Sequence, residues 1–418
     1  MATIIDEDST TVQNLSGDGQ KWTVTKEATS YSDTSAFNLY GANNNFKFYG
    51  HIEQQQASST YSNIYNAMTD SVIFIGKTAT IRGYAPIYND GDGVDITNAG
   101  TLISTSPWGA IRNNAGRDVT IDNVGTIVAT DGYGVYGGGN GRVDITNDGY
   151  ISGTTGGAFL ASSTGRLVNG EDGTIVGIGT SGAVINYVIG GTTVNHGIIQ
   201  AATGYAIMLA SGNETLVNDG HIEGNVELKD GDDTFDTRGG SVDGLIFGGV
   251  GDDLLIVDNA RHLLTEGVDQ GLDTVKSTVS YTLSDNVEKL VLLGGKNIDG
   301  TGTALGDVIS GNSGRNVIEG LAGDDTLGGG KGNDTLKGAA GLDTFVFETG
   351  NAKDVIADLE LDTDIVDVSG WRAAKDLQSL EQHAKAHGDD VWITYGDDIL
   401  VIKGLEKGEL ANVHFQFG

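Results

Sequence analysis

The sequence predicts an all-β fold: a parallel β-helix of about 24-residue coils, a glycine- and aspartate-rich parallel β-roll, and a small C-terminal cap with one helix. Three observations predict it. Asn-x-Gly-x-aliphatic pieces recur through the first half, and nine-residue glycine–aspartate units follow one another after residue 300. Glycine occurs 66 times against two prolines, well above the usual level of about 7%, so a tight turn is needed repeatedly. The expected segments are a cap over 1–45, the β-helix over 46–228, the β-roll with its connector over 229–346, and a C-terminal region over 347–418.

Residues 1–45 lack the repeat. Trp22-Thr-Val-Thr25 reads as a strand and its surroundings are polar, so this segment is expected to cover the open end of the solenoid.

The β-helix is written in the pieces Asn98-Ala-Gly100-Thr-Leu102, Asn123-Val-Gly125-Thr-Ile127 and Asn147-Asp-Gly149-Tyr-Ile151. Asn195-His-Gly197-Ile-Ile199 and Asn218-Asp-Gly220-His-Ile222 continue the series, and Gly173-Thr-Ile175 fills the gap without an asparagine. The glycines fall 23 to 25 residues apart. An alternating strand such as Val94-Asp-Ile96-Thr precedes each turn, and a second register appears at Ala110, Val135, Ala158, Ala183 and Ala206. Coils stack about 4.8 Å apart, so equivalent residues form ladders. Leu102, Ile127, Ile151, Ile175, Ile199 and Ile222 should form one buried row. Asn98, Asn123, Asn147, Asn195 and Asn218 should form a turn row of bonded amides.

Five contiguous units then run from Gly302 to Val346. Gly329-Gly-Lys-Gly-Asn-Asp334-Thr-Leu336-Lys fits the pattern Gly-Gly-x-Gly-x-Asp-x-(large aliphatic)-x completely. The neighbouring units carry Asp307, Asn316, Asp325 and Asp343 at the sixth position. An isolated copy spans Gly248 to Asp253, and Asp233 marks the first acidic turn. Calcium is a hard cation that takes six to eight oxygens at about 2.3–2.6 Å. The turns are expected to aim the carbonyls of Gly320, Ala322, Gly329, Lys331, Gly338 and Ala340 at the ion, with Gly248 doing so in the isolated copy. Asp233, Asp253, Asp307, Asp325, Asp334 and Asp343 would add carboxylates. Two units make one 18-residue coil, so Asp307, Asp325 and Asp343 should share one edge and Asn316 and Asp334 the other. Asn316 lowers its site's charge and should bind more weakly.

The charge agrees with this chemistry. Against 57 acidic residues stand 24 basic ones, a formal net charge of −33. Phosphate binding needs a basic surface, so nucleic acid is excluded as a partner. The acidic excess opposes compaction unless cations neutralise it. With no cysteine, thiolate sites and disulfides are excluded.

These units and their surroundings resemble RTX (repeats-in-toxin) proteins over roughly Lys229 to Gly418. Glu266-Gly-Val-Asp-Gln-Gly-Leu-Asp273 and Ser280-Tyr-Thr-Leu-Ser-Asp-Asn-Val-Glu288 look like that family's connectors. The tail, from Asp354-Val-Ile-Ala-Asp358 through an expected helix over Trp371–His387 and strands at 391–394 and 399–403, resembles members exported by type I secretion. The resemblance implies an uncleaved C-terminal signal, an ABC-type exporter as partner, and folding in extracellular calcium or at the cell surface. The N-terminus has neither a basic n-region nor an apolar h-region, as that route implies. No stretch reaches the ~18 apolar residues of a membrane span.

For function, the sequence favours a calcium-dependent structural or adhesive protein, assembling through its repetitive faces or binding anionic polysaccharide. The alternative is a polysaccharide lyase or epimerase on a β-helix. Arg117, Arg142 and Arg166 should stack at one turn, and Trp108 and Tyr133 lie in register as glycan-facing aromatics. No compact acid–base cluster appears in one coil, so no catalytic residue is assigned. His196 and His221 should sit in surface turns without acid–base partners. Gly-x-Ser-x-Gly and His-Glu-x-x-His are both absent, which disfavours lipase and metalloprotease chemistry.

Overall fold

The structure is a computed structural model describing residues 2–5, 13–25, 29–31, 36–54, 62–179 and 181–418. The chain divides into two compact units, Met1–Phe247 and Gly248–Gly418.

The first unit is a parallel solenoid. Val94–Asn98 pairs with Ser71–Ile75 behind it and Val119–Asn123 ahead, and Arg142–Asn147, Thr164–Asn169, Thr192–Asn195, Thr215–Asn218 and Thr234–Asp236 extend the ladder. The aliphatic row after each turn holds as expected. Leu102, Ile127, Ile151, Ile175, Ile199 and Ile222 are consecutive partners, each with 0% exposure. Each buried side chain contributes roughly 1.5–3 kcal/mol of transfer free energy.

The second register differs by one residue at three coils. The paired row reads Ile64, Ile87, Ile111, Val135, Ala158, Val184 and Ile207, so Ala110, Ala183 and Ala206 each precede the residue in register. All seven are buried, and the larger side chains occupy the core row. The small alanines had recurred at the same spacing in the preceding position.

Coiling also reaches into the expected cap, which lies partly outside the described residues. Ala2–Ile5 pairs in parallel with Lys21–Val24, and the latter with Asn45–Phe48. These coils lack the Asn-x-Gly signature, and aromatics fill them instead. Phe37, Phe46 and Phe48 are buried and lie 5.4 to 6.5 Å apart, centroid to centroid.

The second unit is also a parallel solenoid. One ladder pairs Leu254–Val257, Thr274–Ser277, Lys289–Leu292, Val308–Ser310, Thr326–Gly328, Thr344–Val346, Ile365–Asp367 and His414–Gln416. The facing ladder includes Val317–Ala322, Thr335–Ala340 and Lys353–Ile356. The eighth residues of the five units, Ile309, Ile318, Leu327, Leu336 and Phe345, are buried.

The helix is shorter than expected. It covers Leu377–His383, opened by Asp376, whose carboxylate accepts from the Ser379 N–H. Ala384–His387 instead pairs antiparallel with Asp390–Tyr395, which returns on Asp398–Ile402. The cross-strand pairing of Ala384 with Ile393 wins over helix propensity there, burying both residues.

Candidate metal centres

The turns of the two units solve the same stacking problem with different chemistry. In the first unit each asparagine amide donates to the next. Nδ2 of Asn98 reaches Asn123 Oδ1 at 2.8 Å, and the same bond links Asn123 to Asn147 at 2.8 Å. Asn147 then bonds Asn169, and Asn169 bonds Asn195, both at 2.8 Å. Asn195 closes the series on Asn218 at 2.7 Å. Asn169 thus fills the position that had seemed vacant. Its coils span 22 and 26 residues, where neighbouring coils span 24 and 23, so a fixed spacing passes it by. A second amide row, Asn66 to Asn89 to Asn113, closes another turn at 2.5 and 2.8 Å. An amide both donates and accepts, so such a row satisfies itself.

In the second unit carboxylates occupy the turn. Asp325 Oδ1 accepts from the Asp307 N–H at 2.8 Å, Asp343 Oδ1 from Asp325 at 3.0 Å, and Asp364 Oδ1 from Asp343 at 3.1 Å. On the opposite edge Asp334 Oδ1 accepts from Asn316 at 2.8 Å and Asp354 Oδ1 from Asp334 at 3.0 Å. The two-edge arrangement expected from the 18-residue coil is present. It also continues onto Asp354 and Asp364, which stand outside the five units and whose coils are longer, at 20 and 21 residues.

The second carboxylate oxygens distinguish these positions. Oδ2 of Asp325, Asp334 and Asp343 is buried without a hydrogen-bond partner among the described residues. Asp307 differs, because its Oδ2 accepts from the Thr303 N–H at 2.5 Å and the Thr303 hydroxyl at 3.1 Å. Asp364 Oδ2 accepts from the Glu360 N–H at 2.7 Å. Asn316 is also satisfied: its Nδ2 donates to the Ile298 carbonyl and to Asn312 Oδ1, and its Oδ1 accepts from the Asn312 N–H at 3.0 Å.

The glycines of these turns leave space for these oxygens that a side chain would take. A Cβ at Gly320 or Gly338 would collide with Oδ2 of Asp325 or Asp343, and one at Gly329 would stand 2.6 Å from Asp334 Oδ2. The second position of the last three units takes positive φ. Gly330 does so freely at +78°, whereas Leu321 at +88° and Ala339 at +68° carry side chains into a conformation they disfavour.

Burial raises these acids. Asp325 is pushed up to about 7, first by desolvation and then by Asp307 and Asp343. Desolvation also lifts Asp307, Asp334, Asp343, Asp354 and Asp364 above the ordinary aspartate value. Oxygen-only donors, buried oxygens without partners and elevated acids fit a hard divalent cation. Calcium would supply the charge that these stacked carboxylates lack.

Upstream, Asp233 and Asp253 are buried within their own turns. Asp233 Oδ1 accepts from the Glu214 N–H at 2.6 Å, placing Glu214 in the acidic register.

The glycan-facing set is only partly brought together. Arg142 pairs with Thr164, and Arg166 pairs with Asp144 and Thr192, so the arginines do not form one row. The 22-residue coil shifts Arg166 two places from the expected stack. Arg117 instead lies near Asp92, and Arg142 ion-pairs with Asp144 at 2.8 Å. Trp108 and Tyr133 meet through Tyr136, at 6.2 and 6.0 Å between centroids, with Arg112 at 4.9 Å over Trp108. Tyr88, Arg112, Tyr136 and Phe159 are the residues in true register. Of the histidines, His196 finds Asp219 one coil on at 2.6 Å, and His221 finds Ser241 at 2.7 Å. Both partners are invisible until the coil closes.

Two comparisons bear on this chemistry. A family model of the RTX calcium-binding nonapeptide repeat, four copies long, matches residues 301–336 and 327–351. No curated protein matches the chain.

Proposed function

We propose that this chain, an RTX-type calcium-binding protein with a parallel β-helix, is a secreted structural or adhesive protein of a cell surface or matrix. The nonapeptide repeats are calcium-binding, and RTX repeat proteins are typically secreted. Among the described residues no helix is long and apolar enough to cross a membrane.

Calcium is assigned chiefly to Asp325, Asp334 and Asp343, with carbonyls of Gly320, Ala322, Gly329, Lys331, Gly338 and Ala340. Asp307 contributes a weaker site, since Thr303 already occupies its outer oxygen. Asp233 and Asp253, with Gly248, extend the series upstream. Residues 347–418 would carry the signal for an ABC-type exporter, with calcium driving folding after passage.

The observation that carries the scaffold role is the run of self-satisfied asparagine turns in the first unit. Its turns are closed by amide rows, and its arginines are spread over separate positions. The aromatic row around Trp108, Tyr133 and Tyr136 supports a glycan-contacting face. Two assays test the role. Incubation with anionic polysaccharides in calcium should release no unsaturated or epimerised sugar, while light scattering or surface retention should depend on calcium. Sustained turnover, or calcium-independent retention, overturns the scaffold reading.

A further inference from the structure

We propose an additional calcium site upstream of the nonapeptide array, built by Asp253, Glu266 and Asp273 over the backbone of Gly248. It rests on the calcium reading above and extends it to residues outside the matched 301–351 segment. Glu266 has no counterpart in the nonapeptide pattern. It opens a turn, Glu266 to Asp273, two residues longer than the six-residue turn from Gly248 to Asp253.

One carboxylate oxygen from each of the three residues lies within 4.8 Å of the others. Two oxygens on opposite sides of a calcium, each at about 2.4 Å, stand that far apart. Asp253 and Asp273 are each 1% exposed and Glu266 is 9% exposed. A second observation points to a ligand. Asp273 Oδ2 and Glu266 Oε1 are buried with no hydrogen-bond partner among the described residues.

The remaining oxygens of these groups are held by backbone. Asp273 Oδ1 accepts from the Asp253 N–H at 2.9 Å, and Glu266 Oε2 accepts from the Gly249 N–H at 3.2 Å. Each carboxyl is therefore anchored on one side and open on the other. A Cβ at position 248 would collide with Glu266 Oε1 and stand 2.5 Å from Asp253 Oδ2. The two carboxylates converge over a backbone that only glycine leaves clear. Among the described residues, neither Glu266 nor Asp273 has a lysine or arginine within ion-pair distance.

Buried carboxylates this close need a cation between them, since their repulsion grows as the local dielectric falls. The donor set is oxygen alone, which selects calcium over the transition metals that take nitrogen or sulfur. In the array, the facing turn offers carbonyls. Here a glutamate side chain replaces part of that set, raising the site's negative charge.

The test is calcium per molecule, by equilibrium dialysis on the full chain, for three forms. They are the unchanged protein, Glu266→Gln with Asp273→Asn, and Asp325→Asn. The double variant should lose one calcium, and calcium should no longer slow hydrogen exchange at Leu254–Val257 and Thr274–Ser277. Protection of Thr326–Gly328 should persist in that variant. Unaltered stoichiometry and protection in the double variant, with a calcium lost in Asp325→Asn, overturns this site and leaves the array reading standing. The reverse result removes the array reading and keeps this site. Glu266→Gln alone, a neutral isostere in a turn, gives the same readout should the double variant fold poorly.

Discussion

The amide rows of the first unit close the turns that follow their strands and the carboxylate rows of the second the turns that precede theirs, and the side-chain chemistry separates their behaviour. From Asn98 to Asn195 every Nδ2 donates to the next asparagine of the row, and Asn218 donates to Thr237 and the Ser241 carbonyl. Asp325 and Asp343 accept instead from backbone N–H groups of the preceding coil, and each keeps a buried oxygen with no donor. An asparagine solenoid is complete as a polypeptide. An aspartate solenoid is completed by a cation, which makes its folding answer to the surroundings.

The largest expected effect comes from moving the charged solution into the neutral region. Asn123→Asp leaves a buried carboxylate between the Asn98 and Asn147 amides, with no second carboxylate in its row for a calcium to share. It should cost about 3–5 kcal/mol in denaturant unfolding of the first unit, with no recovery in calcium. Recovery in calcium would show that the turn, and not the residue, decides.

The converse change, Asp325→Asn, should split by condition. In calcium it lowers the midpoint of the second unit, because a site is lost. In chelator it raises it, because a repelling charge between Asp307 and Asp343 is gone. Thermal melts in both buffers distinguish the two.

Acidity probes the same repulsion. Asp325 is lifted to about 7 and Asp273 to about 6, chiefly by burial. An acid with a raised folded value favours folding below its unfolded value near 4 and loses that contribution as pH climbs through the folded one. Chelated protein should therefore lose stability in the second unit between about pH 4 and pH 7, while calcium affinity rises over the same window. A chelated melting point that rises across this range contradicts the picture.

The smallest effect lies in the turn backbone. Leu321 holds a positive φ and is exposed, so Leu321→Gly should relieve about 1–2 kcal/mol of strain against about 0.5–1 kcal/mol of unfolded-state entropy. A net gain between zero and about 1.5 kcal/mol is expected by denaturant titration.

Much of this comparison was legible in the sequence where coil length is constant. The isoleucine row and the Asp307, Asp325, Asp343 edge follow directly from fixed spacing. Variation in coil length hid the rest. Asn169 sits after a 22-residue coil and before a 26-residue one, and the same short coil moves Arg166 out of its expected stack. Glu266 was hidden for a different reason: its turn is longer than the nonapeptide's, so only closure of the coil brings it to Asp253 and Asp273. Which carboxylate oxygens find a donor is likewise a tertiary outcome, and Thr303 beside Asp307 illustrates it.

The most direct test of the central claim is hydrogen exchange on the intact chain, with calcium and after chelation. The account predicts that chelation strips protection from Val308–Ser310, Thr326–Gly328 and Thr344–Val346, while Val94–Asn98, Val119–Asn123 and Arg142–Asn147 keep theirs. Equal protection of the second unit in both conditions, or loss in the first unit as well, would contradict it.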